Sequence, residues 1–249
     1  GSALVQEAQA RGHEVTAIVR NRTKAEQQFS AATTILAKDV FALTWDDLKD
    51  LDVIINAFAS RGDGYQHLDL AAKLVTMTRN QPQPRLFFIL GAASLKQADG
   101  TTLLASILKA AANEPWVDTP LQQAHEYEYL QWIHNVNWTA ISPQRDFVPG
   151  PKTSYHLGKD QVMFNSEGQS TVTTGNLASA VLDEIEHPTH PRERFTVVGD
   201  YTIESDDPLT GASFFSTNRM QKLSSSRRPK TDILFFRDEL FWQSFRSVC

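Results

Sequence analysis

The residues best placed for chemistry are those that directly follow the predicted strands. They are Arg20 and Asn21, Asp39 and Val40, residues 58–60, residues 91–94 and residues 143–147. In a sheet of parallel strands such segments meet at one edge, and ligands bind there. A guanidinium at that edge matches the geometry of a phosphate group, although a solvated arginine at a strand end is the plainer interpretation. The sequence therefore predicts a ligand site along this edge, with Arg20 as its candidate cation.

A second group of polar residues, near residue 186, raises the question of a metal. It consists of Glu184, Glu186, His187 and His190. Pro188 interrupts the helical spacing of these side chains and no third ligand has a clear position, so a loop at the end of a helix is the favoured interpretation. No metal site is predicted. His125, Glu126 and Glu128 are expected to form a solvated helix face.

The elements that must position these residues alternate between strand and helix. This alternation predicts an α/β fold with a doubly wound parallel sheet and helices on both faces. The predicted strands cover residues 15–19, 33–36, 52–57, 86–90, 138–142 and 194–198, and the main helices cover 3–10, 23–29, 68–78, 120–135 and 174–186. An irregular insert is expected at 98–118, and an antiparallel ribbon is expected from 159–164 and 168–173.

The first 24 residues read as the second half of a dinucleotide-binding βαβ unit, with a helix, a turn at Gly12 and a buried strand. The first strand of that unit, and most of the glycine-rich turn after it, are therefore expected to be missing. That strand normally lies at the centre of the sheet, so its loss would expose two strand edges. Residues 231–236 have a strand-like composition and could fill the gap.

One domain is predicted for residues 1–200, followed by a tail of uncertain structure at 201–249 with a linker-like stretch at 216–230. The net charge of −5 over 249 residues argues against a nucleic-acid partner. The single cysteine, Cys249, cannot form a disulfide within the chain, which favours a reducing cytoplasm. The longest apolar stretch, 86–95, is too short to cross a bilayer, so no membrane partner is expected.

A family resemblance is carried by Arg20 and by the run from Ile141 to Gly150, which reads Ile-Ser-Pro-Gln-Arg-Asp-Phe-Val-Pro-Gly. Further matching stretches are 11–21, 88–95, 137–150, 153–160 and 168–197. The chain resembles the NAD(P)H-binding, NmrA-like atypical short-chain dehydrogenases of the NADH-flavin reductase type, especially those of lactic-acid bacteria. The resemblance covers about residues 1–200. It implies a Rossmann domain, binding of NADP or NAD, and reduction of a flavin (FMN or FAD) or a quinone.

The resemblance also implies roles for individual residues. Cofactor contacts are implied for Gly1, Arg20, Asn21, Asp39, Val40, Ala57, Phe58, Ala59, Gly91, Ala92, Pro143 and Phe147. Arg20 would bind the 2′-phosphate of NADP, and Asp39 would accept a hydrogen bond from the adenine amino group. Gly1 matches only the third glycine of the family's Gly-x-x-Gly-x-x-Gly turn. Phe147, like Trp132 and Trp138, is expected to be a core residue more often than a stacking partner.

Ser94 is the candidate catalytic residue, because a serine at this place in short-chain dehydrogenases hydrogen-bonds the substrate carbonyl. Its usual partners are a Tyr and a Lys four residues apart on the next helix. Here Gln131 and Ile133 stand where a lysine would follow Tyr127 and Tyr129. Tyr155 and Lys159 have the right spacing but follow a different strand. Direct hydride transfer between stacked rings, which asks little of protein side chains, is therefore expected.

Three functions stay open at this point. The first is an NAD(P)H-binding oxidoreductase of the flavin- or quinone-reductase type, acting on a small molecule. The second is a non-catalytic NAD(P) sensor like the NmrA regulators, which the missing Tyr–Lys pair favours. The third is an inactive remnant, which the missing first strand favours. In each case the protein is expected to be a cytoplasmic monomer or homodimer.

Overall fold

Segments rich in β-branched and aromatic residues form the sheets of the computed structural model, which describes residues 1–60, 62–200 and 230–236. The strands in this part of the chain are β1 (Glu14–Val19), β2 (Thr33–Ala37), β3 (Val53–Asn56), β4 (Arg85–Ile89), β5 (Trp138–Ser142), β6 (Asp146–Val148), β7 (Ser154–Gly158), β8 (Thr171–Thr173), β9 (Arg194–Asp200) and β10 (Asp232–Phe236). The α-helices are α1 (Ser2–Ala10), α2 (Arg22–Gln28), α3 (Gln66–Thr78), α4 (Leu103–Ala111), α5 (Asp118–Gln131) and α6 (Thr174–Glu186).

The main sheet has eight strands in the order β2-β1-β10-β3-β4-β5-β9-β7. All neighbours pair in parallel except β7, which runs antiparallel to β9. A separate pair, β6 and β8, is also parallel. Apart from the origin of β10, the first six positions match the doubly wound strand order 3-2-1-4-5-6. The predicted α/β fold is confirmed.

The centre of the sheet is filled by β10, which lies between β1 and β3. Ile233 is opposite Val15 on one side and Val53 on the other. The backbone pairing extends beyond the strand, since the Glu14 amide donates to the Thr231 carbonyl over 3.1 Å. The expectation of a sheet without its central first strand is therefore wrong for this fold, and the suggestion that residues 231–236 could fill that place is confirmed.

Alternating side chains of the strands build two apolar layers. Ile233 and Phe235 point to the layer that contains α1 and α6, whereas Leu234 and Phe236 point to the layer that contains α3 and α5. All four side chains are 0–1% exposed. This alternation is what a strand covered by helices on both faces requires. Strand β10 is thus part of both apolar layers.

Several local predictions need correction. The expected ribbon of 159–164 with 168–173 is wrong, because β8 pairs with β6 and the antiparallel partner of β9 is β7.

Trp132 is 76% exposed, so its assignment to the core is wrong, whereas Trp138 is buried as expected. Glu126 is also buried rather than on a solvated face. The insert at 98–118 contains α4 and a short 3-10 turn. The predicted linker at 216–230, except for Lys230, and Cys249 lie outside the described residues.

Candidate functional site

An open cleft lies at the carboxyl ends of β1, β2 and β3. It is lined by Ile18, Val19, Arg20, Lys38, Asp39, Val40, Phe41, Phe58 and Gln66. The structure therefore brings together four residues predicted for the cofactor, namely Arg20, Asp39, Val40 and Phe58.

Two basic side chains, Arg20 and Lys38, line the cleft. The Lys38 ammonium donates to Asp47 Oδ2 over 2.6 Å. This hydrogen bond, together with the one from the Thr44 amide, lowers the pKa of Asp47 to about 2. Asp47 is therefore ionised at neutral pH and partly compensates the charge of Lys38. Arg20 follows the last residue of β1 directly and is the cation that sequence analysis identified.

Part of the cleft lining is aromatic. The rings of Phe41 and Phe58 meet edge to face with their centroids 6.1 Å apart. Asp39 Oδ1 accepts a 2.7 Å hydrogen bond from the Phe41 amide, which caps the 3-10 turn Val40–Ala42. The second carboxylate oxygen can accept another donor, since an ionised carboxylate has about four lone-pair sites. Apolar rings beside a carboxylate suit a flat ligand that carries an amino group.

A buried polar cluster holds the backbone of the loop that follows β3. Asn56 Oδ1 accepts a hydrogen bond from the Phe58 amide over 3.2 Å, and His67 Nε2 accepts one from the Ser60 amide over 3.3 Å. Asn56 Nδ2 in turn donates to Glu126 Oε1 over 3.3 Å. These side chains, from β3, α3 and α5, fix the position of Phe58 in the cleft wall.

The charge states of this cluster follow from its burial. Burial raises the pKa of Glu126 well above its usual range. Burial also lowers the pKa of His67 to about 4. His67 Nδ1 lies 3.9 Å from Glu126 Oε2. Both shifts favour the uncharged forms of the two side chains over an ion pair between them.

Ser94 lies further along the same edge of the sheet, after β4. It is half-buried, and its Oγ accepts a 2.9 Å hydrogen bond from Arg194 Nη1. Tyr127 lies on α5 nearby, with its ring centroid 4.1 Å from the Arg194 guanidinium carbon. Tyr155 and Lys159 contact two different carboxylates, Asp183 and Glu193, and do not form a pair with each other.

The remaining predicted cofactor residues lie outside the cleft lining. Asn21 Oδ1 caps α2 by accepting from the Lys24 amide over 3.0 Å. A side chain at Gly91 would collide with Gln123. Phe147 packs against the apolar core, as expected of a core residue. Gly1 precedes α1, Pro143 is buried, and Ala57, Ala59 and Ala92 are half-buried. The cofactor roles of these residues stay predictions.

Sequence reasoning missed Lys38, Phe41 and Gln66 in the cleft and Arg194 beside Ser94. Lys38 and Phe41 flank the predicted pair Asp39 and Val40, so widening that window would have found them. Nothing in the sequence near Arg194 marks it, because β9 reaches Ser94 only through the sheet. Glu184, which sequence analysis considered with a metal, instead accepts hydrogen bonds from Arg85 and His190 over 2.6 and 2.8 Å. Within the described residues, no group of three or more His, Cys, Asp or Glu side chains could hold a metal ion.

Comparison with known proteins shows the family of this chain. A protein-family model described as NAD(P)H-binding matches residues 1–188. The Bacillus subtilis protein YwnB is 39% identical over 203 residues, which cover 80% of this chain and 93% of YwnB. A solved structure from Lactobacillus casei is 43% identical with a TM-score of 0.77, covering 81% of this chain and 94% of that one.

A further solved structure carries a functional description. It is a Streptococcus pneumoniae protein described as a "putative NADH-flavin reductase", 33% identical with a TM-score of 0.71, and the match covers 80% of this chain and 94% of that one. Among the helices described, none is both long and apolar enough to cross a membrane.

Proposed function

Since the chain belongs to the NAD(P)H-binding family, we propose that it is an oxidoreductase that uses NADPH to reduce a flavin or a quinone. The observation that carries the proposal is the cleft, with Arg20 and Lys38 beside an aromatic wall at the ends of β1 and β2. This combination suits the adenosine half of the cofactor. When bound, the reduced nicotinamide supplies the hydride, and the protein binds and orients the two reactants.

The residues of the cleft favour NADP over NAD. The 2′-phosphate is a dianionic group that a planar guanidinium can bind through two hydrogen bonds. Arg20 is the main candidate for this contact, because it directly follows β1 and lines the cleft. The second oxygen of Asp39 would accept from the adenine amino group, as sequence analysis proposed.

The proposed acceptor rests on two considerations. The Streptococcus pneumoniae relative is described as a "putative NADH-flavin reductase". Flavins and quinones need little acid–base help from protein side chains. Helix α5, which follows Ser94 in the chain, contains Tyr127 and Tyr129. Neither tyrosine has a lysine four residues later, which fits an enzyme that works without the usual Tyr–Lys pair.

The test is a steady-state assay of the purified full chain with NADPH and either FMN or a simple quinone, followed by the loss of NADPH absorbance. We expect oxidation that depends on the acceptor, and a lower KM for NADPH than for NADH. Absence of turnover with every flavin and quinone tried would contradict the enzymatic proposal.

The missing Tyr–Lys pair also supports a second candidate, a sensor that binds NADP(H) without reacting. Titration calorimetry separates the two. Tight binding of both NADPH and NADP without turnover would favour the sensor, whereas failure to bind either nucleotide would contradict both proposals.

A further inference from the structure

Arg194 is a buried cation with no role in the cofactor contacts proposed above. Its side chain is 1% exposed although it carries a full charge. Its Nη1 donates to Ser94 Oγ over 2.9 Å and to Ser142 Oγ over 3.1 Å, and its Nε donates to Asp160 Oδ1 over 3.1 Å. We propose that Arg194 is a positioning residue that makes the Ser94 hydroxyl a dedicated hydrogen-bond donor to the substrate.

The direction of the Ser94 hydrogen bond follows from the chemistry of arginine. A guanidinium has five N–H donors and no acceptor, so Ser94 can only accept in its contact with Arg194. Among the hydrogen bonds of the described residues, Ser94 Oγ accepts this one and donates none. Its hydrogen is therefore available to a ligand on the exposed side of this half-buried residue.

The guanidinium also changes the strength of that donor. A hydrogen bond from an ionised group is roughly twice as strong as one between neutral groups, and it polarises the hydroxyl that accepts it. Ser94 therefore donates more strongly than an isolated serine. Ser94 should donate most strongly to an acceptor atom that becomes negative, since the guanidinium of Arg194, which is also paired with Asp160, lies one hydrogen bond behind its hydroxyl.

Asp160 and Tyr127 hold Arg194 in place from two sides. Asp160 pairs with Nε and Nη2, and the Tyr127 ring lies against the guanidinium, 4.1 Å from its central carbon. The Tyr127 hydroxyl donates to Asp160 Oδ1 over 3.3 Å. Burial is the main cause that raises the pKa of Tyr127, so it stays a neutral phenol at pH 7. Because its proton is engaged by Asp160, Tyr127 supports Arg194 and is not the donor to substrate.

This inference rests on the proposed function and narrows its substrate class. The favoured acceptor has a carbonyl oxygen conjugated to the atom that receives the hydride, as in a quinone or an isoalloxazine ring. In that reaction the nicotinamide loses a hydride and is oxidised, while the acceptor gains it and is reduced. The electron pair displaced in the acceptor moves to its carbonyl oxygen, which Ser94 stabilises by its hydrogen bond until water supplies a proton.

A phenol that changes colour on ionisation tests the donor without turnover. para-Nitrophenol resembles a small conjugated acceptor, and its ionised form absorbs visible light. In the NADP complex of the full-length protein we expect the bound probe to have a pKa lowered by about one unit, equivalent to about 1.4 kcal/mol. Ser94→Ala should abolish this shift and Ser94→Thr, which keeps the hydroxyl, should retain it.

Variants of the arginine decide its role. Arg194→Gln should remove most of the probe shift although Ser94 is still present, and Arg194→Lys should restore part of it because it returns the charge without the planar fork. Arg192→Gln, at an exposed arginine two residues earlier, is the matched control and should leave the shift unchanged. Thermal unfolding of each variant shows whether it is folded.

Two outcomes would overturn the inference. One is a probe shift in folded Arg194→Gln equal to that of the wild type, and the other is an unshifted or unbound probe in the wild type. If Arg194→Gln does not fold, Asp160→Asn replaces it and should reduce the shift by releasing the guanidinium. The probe shift does not depend on hydride transfer, so its presence without NADPH oxidation would contradict the proposed enzyme and leave the role of Arg194 standing.

Discussion

At the scale of single residues, the two ends of the site depend on different arginines. Arg20 lines the open cleft, where it can meet a ligand directly. Arg194 is buried and acts through Ser94. Arg20 should affect the affinity for the ligand that it touches. Arg194 should instead affect the orientation and donor strength of the Ser94 hydroxyl. Their substitutions should therefore have different signatures.

Replacement of Arg20 tests the cofactor preference. We expect Arg20→Gln to weaken NADPH binding by about 10- to 100-fold, because hydrogen bonds to a charged group contribute roughly 1.5–3 kcal/mol. NADH binding should change much less, since NADH lacks the 2′-phosphate. Calorimetric Kd values for both nucleotides measure this. Arg22→Gln is the control, because Arg22 contacts Glu26 and the Ile35 carbonyl on the surface. Equal losses for both nucleotides would contradict the assignment.

Glu126 offers a test of protonation state. If its carboxyl is protonated, as its raised pKa indicates, Glu126→Gln keeps the shape and neutrality of the side chain and should change the unfolding free energy by less than about 1 kcal/mol. Glu126→Ala should cost about 2–4 kcal/mol, because it leaves a cavity and removes the partner of Asn56. Urea unfolding at pH 7 compares the two. A large loss in Glu126→Gln would show that the carboxylate is ionised in the fold.

At the scale of elements, β10 has the greatest consequence for the sheet. It pairs with a neighbour on each side and contributes side chains to both apolar layers. A central strand buried on both faces has no tolerant position for polar substitution. The stability of the cleft therefore depends on a segment that follows every other strand described in the structure.

Truncation of a β10 side chain should show this dependence. Phe235 is 1% exposed, and we expect Phe235→Ala to lower the unfolding free energy by about 3–5 kcal/mol, the usual cost of such a cavity. The exposed residue Lys230, just before the strand, provides the control. Lys230→Ala should change the unfolding free energy by less than about 0.5 kcal/mol. Denaturant titrations of both variants measure the difference. Similar stability of Phe235→Ala and the wild type would mean that β10 does not occupy the sheet in solution.

Sequence reasoning found the elements better than their pairing. The apolar runs at 15–19 and 138–142 and the helix at 174–186 were predicted because periodicity is a local property. The pairing of β7 with β9 was missed because the short, half-exposed strand Ser154–Gly158 has weak local signals. In the site, Arg20 and Asp39 follow strands and were predictable. Arg194 was not, since it approaches Ser94 through the fold from 100 residues away.

At the scale of the whole molecule, buried charges link stability to pH. Glu184 accepts hydrogen bonds from His190, Thr189 and Arg85. Burial by itself would raise the pKa of Glu184, but these hydrogen bonds outweigh it and lower the pKa to about 2. A carboxylate with a lowered folded-state pKa contributes stability above its unfolded pKa and loses it as the pH falls.

The acid side of the stability profile should therefore depend on Glu184. We expect the wild type to lose stability as the pH falls from about 4.5 toward 2. Glu184→Gln should cost about 3–5 kcal/mol at pH 7, because it leaves Arg85 buried without its charged partner. The difference between the two proteins should shrink through that pH range, as thermal unfolding in a series of buffers can measure. A constant difference down to pH 2 would contradict the lowered pKa.

The position of β10 also has a consequence for the order of events during synthesis. Its partners lie at residues 14–18 and 53–55, so they leave the ribosome long before residues 232–236 do. Until then β1 and β3 each present an unpaired edge, which is the kind of surface that attracts aggregation and chaperones. Contacts this distant in sequence form slowly, because a long loop must close before they stabilise anything. The nascent chain therefore completes the sheet edge that carries the cleft only after residues 232–236 have left the ribosome.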